Sequence, residues 1–182
     1  MLIAREFCLN DETELLNMVQ EIQQTDGNFE GLDNLSKFDN IDSFLTKLKQ
    51  NKHQAFLRPG LVPQTTFGVF DGSRLVGGFN LRHRLCETLL QHGGNIGYLI
   101  RPSQRQKGYG TALLSLALKE AKAIGLEKVL VSCREKNIFS SKVIEHNQGR
   151  RDKDYFDESS NTTYRRYWIN LTGTETRKKV LS

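Results

Sequence analysis

The chain has 182 residues, which suits one domain that buries an apolar core without disulfide or metal support. Hydrophobic residues make up 37% and charged residues 26%, a balance that argues against a disordered chain and against an integral membrane protein. The net charge of +5 comes from basic residues scattered along the chain, so a nucleic-acid partner is not favoured.

The cysteines and the N-terminus predict the compartment. Cys8, Cys86 and Cys133 are an odd number without metal-ligand spacing, so we expect reduced thiols and no metal. The first residues lack a basic region followed by an apolar run, and no apolar run approaches the roughly 20 residues of a membrane span. These features predict a cytoplasmic protein without a membrane partner.

The first third of the chain predicts one strand and two helices. Leu2–Phe7 has the pattern of a strand, and Asp11 with Glu14 predicts a capping box for the first helix. The apolar face of this helix is expected to consist of Leu15, Leu16, Val19 and Ile22. A second helix is expected from Asn40 or Asp42, with an apolar face made of Ile41, Phe44, Leu45 and Leu48.

The middle of the chain predicts three strands. Thr65–Phe70 and Arg74–Arg82 are apolar runs joined at Asp71-Gly72, which is a strong hairpin signal. Leu85–His92 is interpreted either as a helical turn or as an extended crossover, and the third strand covers Asn95–Arg101.

The last third alternates helix and strand before it ends in a hairpin. Its predicted elements are a helix at Thr111–Ile124, a buried strand at Lys128–Cys133, a helix at Ile138–His146 capped by Asn137, and strands at Arg150–Phe156 and Thr163–Asn170. A helix between two strands implies a right-handed parallel crossover, whereas hairpins imply antiparallel neighbours. We therefore predict a mixed α/β fold, with one domain over residues 1–171 and a flexible tail over residues 172–182.

The loop that precedes the helix at Thr111 has the properties of an anion site. Gly108 and Gly110 allow close approach of the backbone, and the first helical turn offers unpaired N–H groups at the positive end of its dipole. Arg101, Arg105 and the nearby lysine add positive charge. These residues predict a polyphosphate or pyrophosphate site.

Two common phosphate motifs do not fit this loop. The triphosphate-binding pattern Gly-x-x-x-x-Gly-Lys-Ser/Thr does not occur, and Leu113 stands where the dinucleotide fingerprint needs its third glycine. Arg105-Gln106-Lys107-Gly108-Tyr109-Gly110 instead matches the Arg/Gln-x-x-Gly-x-Gly/Ala loop of the GNAT acetyltransferases at every defined position. The chain resembles this family most closely over Thr65–Leu171.

The resemblance extends to both sides of the loop. A bacterial subgroup of the family carries a similar set of residues before the loop, which here are Arg82-His83, Glu87 and His92-Gly93-Gly94-Asn95-Ile96-Gly97-Tyr98. After the loop, Asn137 precedes a short helix, as the corresponding residue of the family does. The resemblance implies the GNAT fold, with a central mixed, mostly antiparallel sheet, one parallel splayed strand pair and helices on both faces.

The resemblance also implies an N-acetyltransferase that moves an acetyl group from acetyl-CoA to an amine by direct attack. Backbone groups of Leu99 and Ile100 would pair with the pantetheine arm, and the loop from Arg105 to Thr111 would hold the pyrophosphate. Asn137 and Ser140 would lie beside the pantetheine and the adenosine. The expected cofactor-binding residues are Leu99, Ile100, Arg101, Arg105, Gln106, Lys107, Gly108, Tyr109, Gly110, Thr111, Asn137 and Ser140.

The chemistry of acetyl transfer sets the candidate catalytic residues. The acceptor ammonium, with a pKa of about 10, needs a base, and the departing thiolate, with a free pKa of about 8.5, gains from a hydrogen-bond donor. Many members carry a Tyr seven residues after the Asn, but that position here is Ile144. The candidate bases are Glu87, His92 and His83, and the hydroxyls that could substitute for the missing one are those of Tyr98, Tyr164 and Tyr167. The expected catalytic residues are Glu87, His92 and Tyr98.

Several functions stay open on the sequence alone. The acceptor is a small amine, amino acid or antibiotic-like molecule, or it is a macromolecular amine on a protein or a charged tRNA. A non-catalytic acyl-CoA-binding module is the third alternative, which Ile144 favours, whereas Glu87 and His92 favour catalysis. A nucleic-acid binder is a distant fourth. The expected partners are coenzyme A, an amine acceptor and, from the resemblance, a second copy of the chain.

Overall fold

The computed structural model describes residues 1–27, 32 and 37–172. The strands are β1 (Leu2–Glu6), β2 (Gln64–Asp71), β3 (Arg74–Arg82), β4 (Ile96–Ile100), β5 (Lys128–Arg134), β6 (Arg150–Arg151), β7 (Tyr155–Asp157) and β8 (Thr162–Asn170). The helices are α1 (Glu12–Asp26), α2 (Ile41–Asn51), α3 (Glu87–Gln91), α4 (Tyr109–Ala123) and α5 (Ile138–His146). One antiparallel sheet has the order β1-β2-β3-β4, and a second has the order β5-β8-β6, with β7 also paired to β8.

The first sheet carries helices on both faces because adjacent residues of its central strands point to opposite sides. Val69 and Val76 belong to the buried cluster that includes the apolar residues of α4 and α5. Phe70 and Leu75, their chain neighbours, belong to the cluster formed with α1 and α2. The predicted mixed fold with mostly antiparallel strands and helices on both faces is confirmed.

The two sheets meet where the chain entering β4 touches the middle of β5. The Asn95 N–H donates to the Leu130 carbonyl at 2.7 Å, and the Leu130 N–H donates to Asn95 Oδ1 at 2.9 Å. A Cβ on Gly94, whose φ is 63°, would lie 2.2 Å from the Leu130 carbonyl oxygen, so this approach requires glycine. Past this joint β4 and β5 belong to different sheets, and a gap opens between them toward Ile100.

Two local predictions at the first helix are wrong. The carboxylate of Asp11 does not cap α1 but accepts hydrogen bonds from Arg5 at 2.6 and 2.7 Å. Glu14 does not return to the cap; it accepts from the Leu75 N–H at 2.9 Å. Both carboxylates bind partners outside the helix, where charge-assisted hydrogen bonds are stronger than a cap. Leu16 is 49% exposed rather than part of the apolar face.

The predicted strand Arg150–Phe156 is also wrong, because it is divided into β6 and β7. Between these strands Asp152 accepts a hydrogen bond from the Trp168 indole N–H at 3.1 Å. Arg151 pairs with Asp154 at 2.7 Å. The contact with Trp168 of β8 and the local Arg151–Asp154 pair accompany the interruption of the strand at residues 152–154.

Other predicted features can be compared directly with the structure. Asn40 caps α2 through a hydrogen bond from the Ser43 N–H at 2.9 Å, and Leu85–His92 contains the helix α3, not an extended crossover. The predicted tail, except Thr172, lies outside the described residues, as does part of the segment between α1 and α2. None of the described helices is both long and apolar enough to cross a bilayer.

Candidate active site

A cavity of about 680 Å³ lies where β4, the loop before α4 and the first turns of α5 meet. Ten residues of its wall are predicted cofactor-binding or catalytic residues: Tyr98, Leu99, Ile100, Arg105, Gln106, Gly108, Gly110, Thr111, Asn137 and Ser140. Four further lining residues were not predicted and all belong to α5: Phe139, Lys142, Val143 and His146. The cavity therefore assembles the loop, the strand and the helix that the sequence suggested.

The loop presents backbone N–H groups to this cavity. Helix α4 begins at Tyr109, two residues earlier than predicted, because Gly108 with φ 83° serves as its N-cap. The first helical hydrogen bond runs from the Ala112 N–H to the Gly108 carbonyl at 3.3 Å, so the preceding N–H groups have no helical acceptor. Within the described part of the chain, no side chain caps this end. The start of α4 therefore presents unpaired backbone N–H groups that can bind an anion.

The strand β4 turns alternate backbone groups toward the gap. The hydrogen bond from the Arg101 N–H to the Val76 carbonyl at 3.0 Å shows which residues of β4 pair with β3. Alternation then places the backbone groups of Leu99 toward β3 and those of Tyr98 and Ile100 toward the gap. Leu99 lines the cavity, but its backbone groups pair with β3, so the predicted backbone contact of Leu99 with a ligand does not fit the structure.

Arg101 does not reach the cavity, so its predicted contact with the anion is wrong. Its side chain is buried, and its guanidinium donates to Glu21 at 2.7 Å and to Glu14 at 2.9 Å. A further hydrogen bond reaches the Leu75 carbonyl at 3.3 Å. Arg101 instead fastens α1 to the end of β4.

Arg105 lines the cavity but already has a protein partner. Its Nη1 donates to one carboxylate oxygen of Asp26 at 2.9 Å, its Nη2 donates to the other, and its Nε donates to the Ile100 carbonyl at 3.2 Å. The hydrogen bonds from Arg105 lower the pKa of the Asp26 carboxyl, and the same contact raises the pKa of Arg105. The pair therefore stays ionised at neutral pH.

Two other predicted loop ligands face away from the cavity wall. Lys107 Nζ donates to the Ser103 carbonyl at 2.7 Å, and the Tyr109 hydroxyl donates to Asp71 at 2.8 Å. Neither side chain lines the cavity. At these two positions only the backbone is available to the predicted anion.

The Tyr98 hydroxyl reaches the first turn of α5. Its oxygen lies 2.8 Å from Ser140 Oγ, and the Ser140 N–H donates to Asn137 Oδ1 at 3.0 Å, which fixes the first turn of α5. Burial raises the pKa of Tyr98, so the phenol is protonated at neutral pH. Ile144 is fully buried in the core, and no hydroxyl replaces the missing tyrosine at that position.

The candidate bases are not brought into the cavity. Glu87 is exposed in the first turn of α3, and the His92 ring stacks on Tyr164 with centroids 4.8 Å apart and on Tyr155 at 5.9 Å. Glu87 and His92 precede Asn95 in the chain, so they lie near the start of β4, where the gap is closed. The glycine loop follows the end of β4, where the gap is open.

The remaining candidates have other partners. His83 shares a hydrogen bond of 2.8 Å with Thr65, and burial lowers the pKa of this imidazole. The Tyr167 hydroxyl donates to Glu145 at 3.1 Å. Among the described residues, no group of three or more His, Cys, Asp or Glu side chains is arranged to hold a metal ion.

Comparisons with known proteins agree with this architecture. A model of the acetyltransferase (GNAT) domain matches residues 2–150, whereas a sequence search among curated proteins finds no match. The putative acetyltransferase YncA of Salmonella typhimurium, solved with its cofactor acetyl-CoA, has a TM-score of 0.63 and 12% identity over 99% of both chains.

Two other solved structures differ from each other in their acceptors. The spermidine/spermine N-acetyltransferase SpeG of Vibrio cholerae has a TM-score of 0.62 and 15% identity over 94% of this chain and 95% of its own. An acetyl transferase of Salmonella typhimurium that modifies the N-terminal serine of a 50S ribosomal subunit protein has a TM-score of 0.64 and 15% identity, over 93% and 94%. At these identities the likeness shows a shared fold.

Proposed function

The chain belongs to the GNAT acetyltransferase family and is an enzyme that uses acetyl-CoA, and we propose that the donor lies in the cavity beside α4 and α5. The diphosphate is placed at the start of α4, and the acetyl-bearing arm is placed along β4. The observation that carries this placement is the turn at Gly108, whose neighbouring N–H groups line the cavity without helical acceptors.

The direction of the arm follows from the strand. Tyr98 and Ile100 turn their backbone groups toward the gap, where an extended chain of amides can pair with them. The five residues of β4 span about 17 Å at roughly 3.3 Å per residue, so an arm that starts at the loop ends near Asn95. The thioester is therefore proposed at the closed end of the gap.

The proposed reaction is direct attack of the acceptor amine on this thioester. The C–N bond forms, the C–S bond breaks, and the amine proton passes to a base. Gap-facing N–H groups of β4 stabilise the oxyanion, and the protonated Tyr98 hydroxyl donates a hydrogen bond to the departing sulfur. Glu87 and His92 are the proposed bases, because they lie just beyond the Asn95 joint where the thioester ends.

The acceptor is proposed to be the primary amine of a small molecule, an amino acid or an antibiotic-like compound. Glu87, an exposed carboxylate in the first turn of α3, supports a cationic acceptor. Thiol release from acetyl-CoA over a panel of amines, with a ribosomal-protein N-terminal peptide included, distinguishes this proposal from a macromolecular acceptor.

The donor site is tested by Gly108→Asp. The new carboxylate would stand beside the diphosphate, so we expect calorimetry to show no binding of coenzyme A. Gly125→Asp is a matched control, because Gly125 also has a positive φ, 87°, and open space around its Cβ position, but lies at the other end of α4. Unchanged affinity of the Gly108→Asp protein for coenzyme A would refute the loop assignment.

A further inference from the structure

The turn before β4 lies against the second sheet. The Asn95 N–H donates to the Leu130 carbonyl at 2.7 Å, and the Gly93 N–H donates to Ser132 Oγ at 2.8 Å. Ser132 follows Leu130 in the chain, whereas Gly93 precedes Asn95, so this short segment runs beside β5 in the opposite direction. His92, the residue before Gly93, is thereby brought over the second sheet.

The His92 imidazole stacks on two tyrosines of the hairpin formed by β7 and β8. The ring centroids lie 4.8 Å from Tyr164, with an interplanar angle of 17°, and 5.9 Å from Tyr155, with an angle of 25°. Tyr155 and Tyr164 are direct partners in the ladder between the two strands, so both rings lie on the same face. His92 is half-buried, so these contacts fix the plane of the imidazole and leave part of it open to a substrate.

The hairpin that carries the tyrosines is itself held in place. At its turn, Asp157 accepts hydrogen bonds from the Ser159 N–H at 3.1 Å, from the Ser159 hydroxyl at 2.8 Å and from the Ser160 hydroxyl at 2.6 Å. Along β5, Tyr164 lies opposite Arg134, the last residue of that strand. Since β5 forms one side of the gap, the hairpin ties the imidazole to that side, whereas the backbone after the imidazole leads into β4 on the other.

Resting on the proposed function, in which His92 acts as a base, we propose that Tyr164 and Tyr155 are positioning residues for this imidazole. A base removes a proton only within hydrogen-bond reach, and a histidine that rotates freely about its side-chain bonds spends part of its time in other rotamers. Stacking on two rings holds the imidazole in one orientation, so it meets the amine without a separate ordering step. The aromatic rings provide this contact, and the tyrosine hydroxyls take no part in it.

Replacement of Tyr164 in two ways tests the role of its ring. We expect Tyr164→Leu to lower kcat roughly tenfold, a part of what a positioned base contributes, with little change in the affinity for coenzyme A. Tyr164→Phe keeps the ring and should keep kcat. Phe156→Leu is the matched control, because Phe156 belongs to the same hairpin and is 53% exposed but has no ring contact with His92 among the described residues.

A double-mutant cycle distinguishes positioning from a structural role. If Tyr164 acts through His92, then Tyr164→Leu should cause no further loss of kcat in a His92→Gln protein, whereas general damage to the fold would lower it again. Thiol release with the best amine of the panel measures all four proteins. Tyr155→Leu repeats the cycle from the more distant ring and replaces Tyr164→Leu if that variant does not fold.

The outcomes separate this inference from the proposed function. A wild-type kcat in His92→Gln would remove His92 as a base and the inference with it, but would leave acetyl transfer by direct attack standing. A loss in His92→Gln without a loss in Tyr164→Leu would overturn the inference alone. Additive losses in the double variant would also overturn it, as would a loss of kcat in Tyr164→Phe, which would assign a role to the hydroxyl.

Discussion

Tyr98 is held in place from two directions, by its own strand and by the first turn of α5. Its backbone faces the gap, and its hydroxyl meets Ser140 at 2.8 Å. Since burial raises its pKa, the hydroxyl stays protonated throughout the neutral range and can donate to a departing sulfur. We propose that it serves in place of the tyrosine that many family members carry at the position of Ile144.

Replacement of Tyr98 tests this role. We expect Tyr98→Phe to lower kcat by about 10²-fold, because the departing thiolate loses its hydrogen-bond donor, while affinity for coenzyme A changes little. Tyr109→Phe, which removes a hydroxyl bound to Asp71 outside the cavity wall, is the control and should keep kcat. Thiol release with the best amine of the panel measures both; equal rates for wild type and Tyr98→Phe would remove Tyr98 from the mechanism.

The sequence predicted the geometry of the glycine loop better than the contacts of the charged side chains around it. Gly108 and Gly110 could be identified as part of an anion-binding loop, because two closely spaced glycines before a helix allow the backbone to approach an anion. Arg101 was misassigned, because its partners Glu14 and Glu21 lie more than 79 positions away in the chain and no local pattern connects them. Lys142 was missed because helical periodicity defines a face but not what that face meets.

The helix α1 shows how one element can organise a site that it does not line. Its acidic residues bind the segment after β4: Glu14 and Glu21 hold Arg101, Glu21 also accepts from the Ser103 N–H at 3.3 Å, and Asp26 holds Arg105. The loop is thereby fixed before any ligand arrives, which lowers the entropic penalty of binding.

This attachment predicts a dependence of stability on pH. The pKa of Asp26 in the folded protein lies below its unfolded value of about 3.9, so its stabilising effect is present above about pH 4 and is lost as pH falls through the folded pKa. Asp26→Asn should therefore lower the free energy of unfolding at pH 7. The free energy of unfolding of this variant should also fall less between neutral and acid pH than that of the wild type. Urea unfolding at several pH values measures both.

The control for this prediction is Asp39→Asn, which changes an exposed carboxylate before α2. It should leave the pH dependence close to that of the wild type. If Asp26→Asn and wild type lost the same free energy between neutral and acid pH, the pair with Arg105 would contribute nothing to the attachment of the loop.

At the element scale, hydrophobic periodicity and turn signals were sufficient for most of the fold. The Asp71-Gly72 hairpin and the capped helix α2 needed only neighbouring residues to specify them. The division into β6 and β7 depends on Asp152, whose partner Trp168 comes from β8. A sequence pattern within one segment cannot predict such a contact between two elements.

The whole molecule depends on the joint between its two sheets. Asn95 is buried and connects β5 to β3. It exchanges two hydrogen bonds with Leu130 of β5, and its Nδ2 donates to the Arg82 carbonyl of β3 at 3.3 Å. This residue closes one end of the gap. In the proposed arrangement, the distance between the thioester and the bases depends on the stability of this joint.

Asn95→Ala tests the joint. Loss of the side-chain acceptor leaves the buried Leu130 N–H unpaired, so we expect the free energy of unfolding to fall by about 2 kcal/mol. Asn80→Ala is the control, since Asn80 is also buried but its hydrogen bond to Thr66 lies within one sheet. Both should be destabilised, but only Asn95→Ala should lose turnover at a temperature where both are folded; equal turnover would contradict the role of the joint.

In the proposed donor site, the start of α4 holds the diphosphate and the gap beside β4 holds the arm. A crystal structure with bound coenzyme A tests it most directly. We predict diphosphate oxygens within hydrogen-bond distance of the N–H groups at Gly108–Thr111, with the arm along Tyr98 and Ile100. Coenzyme A bound elsewhere, with this cavity empty, would contradict the account.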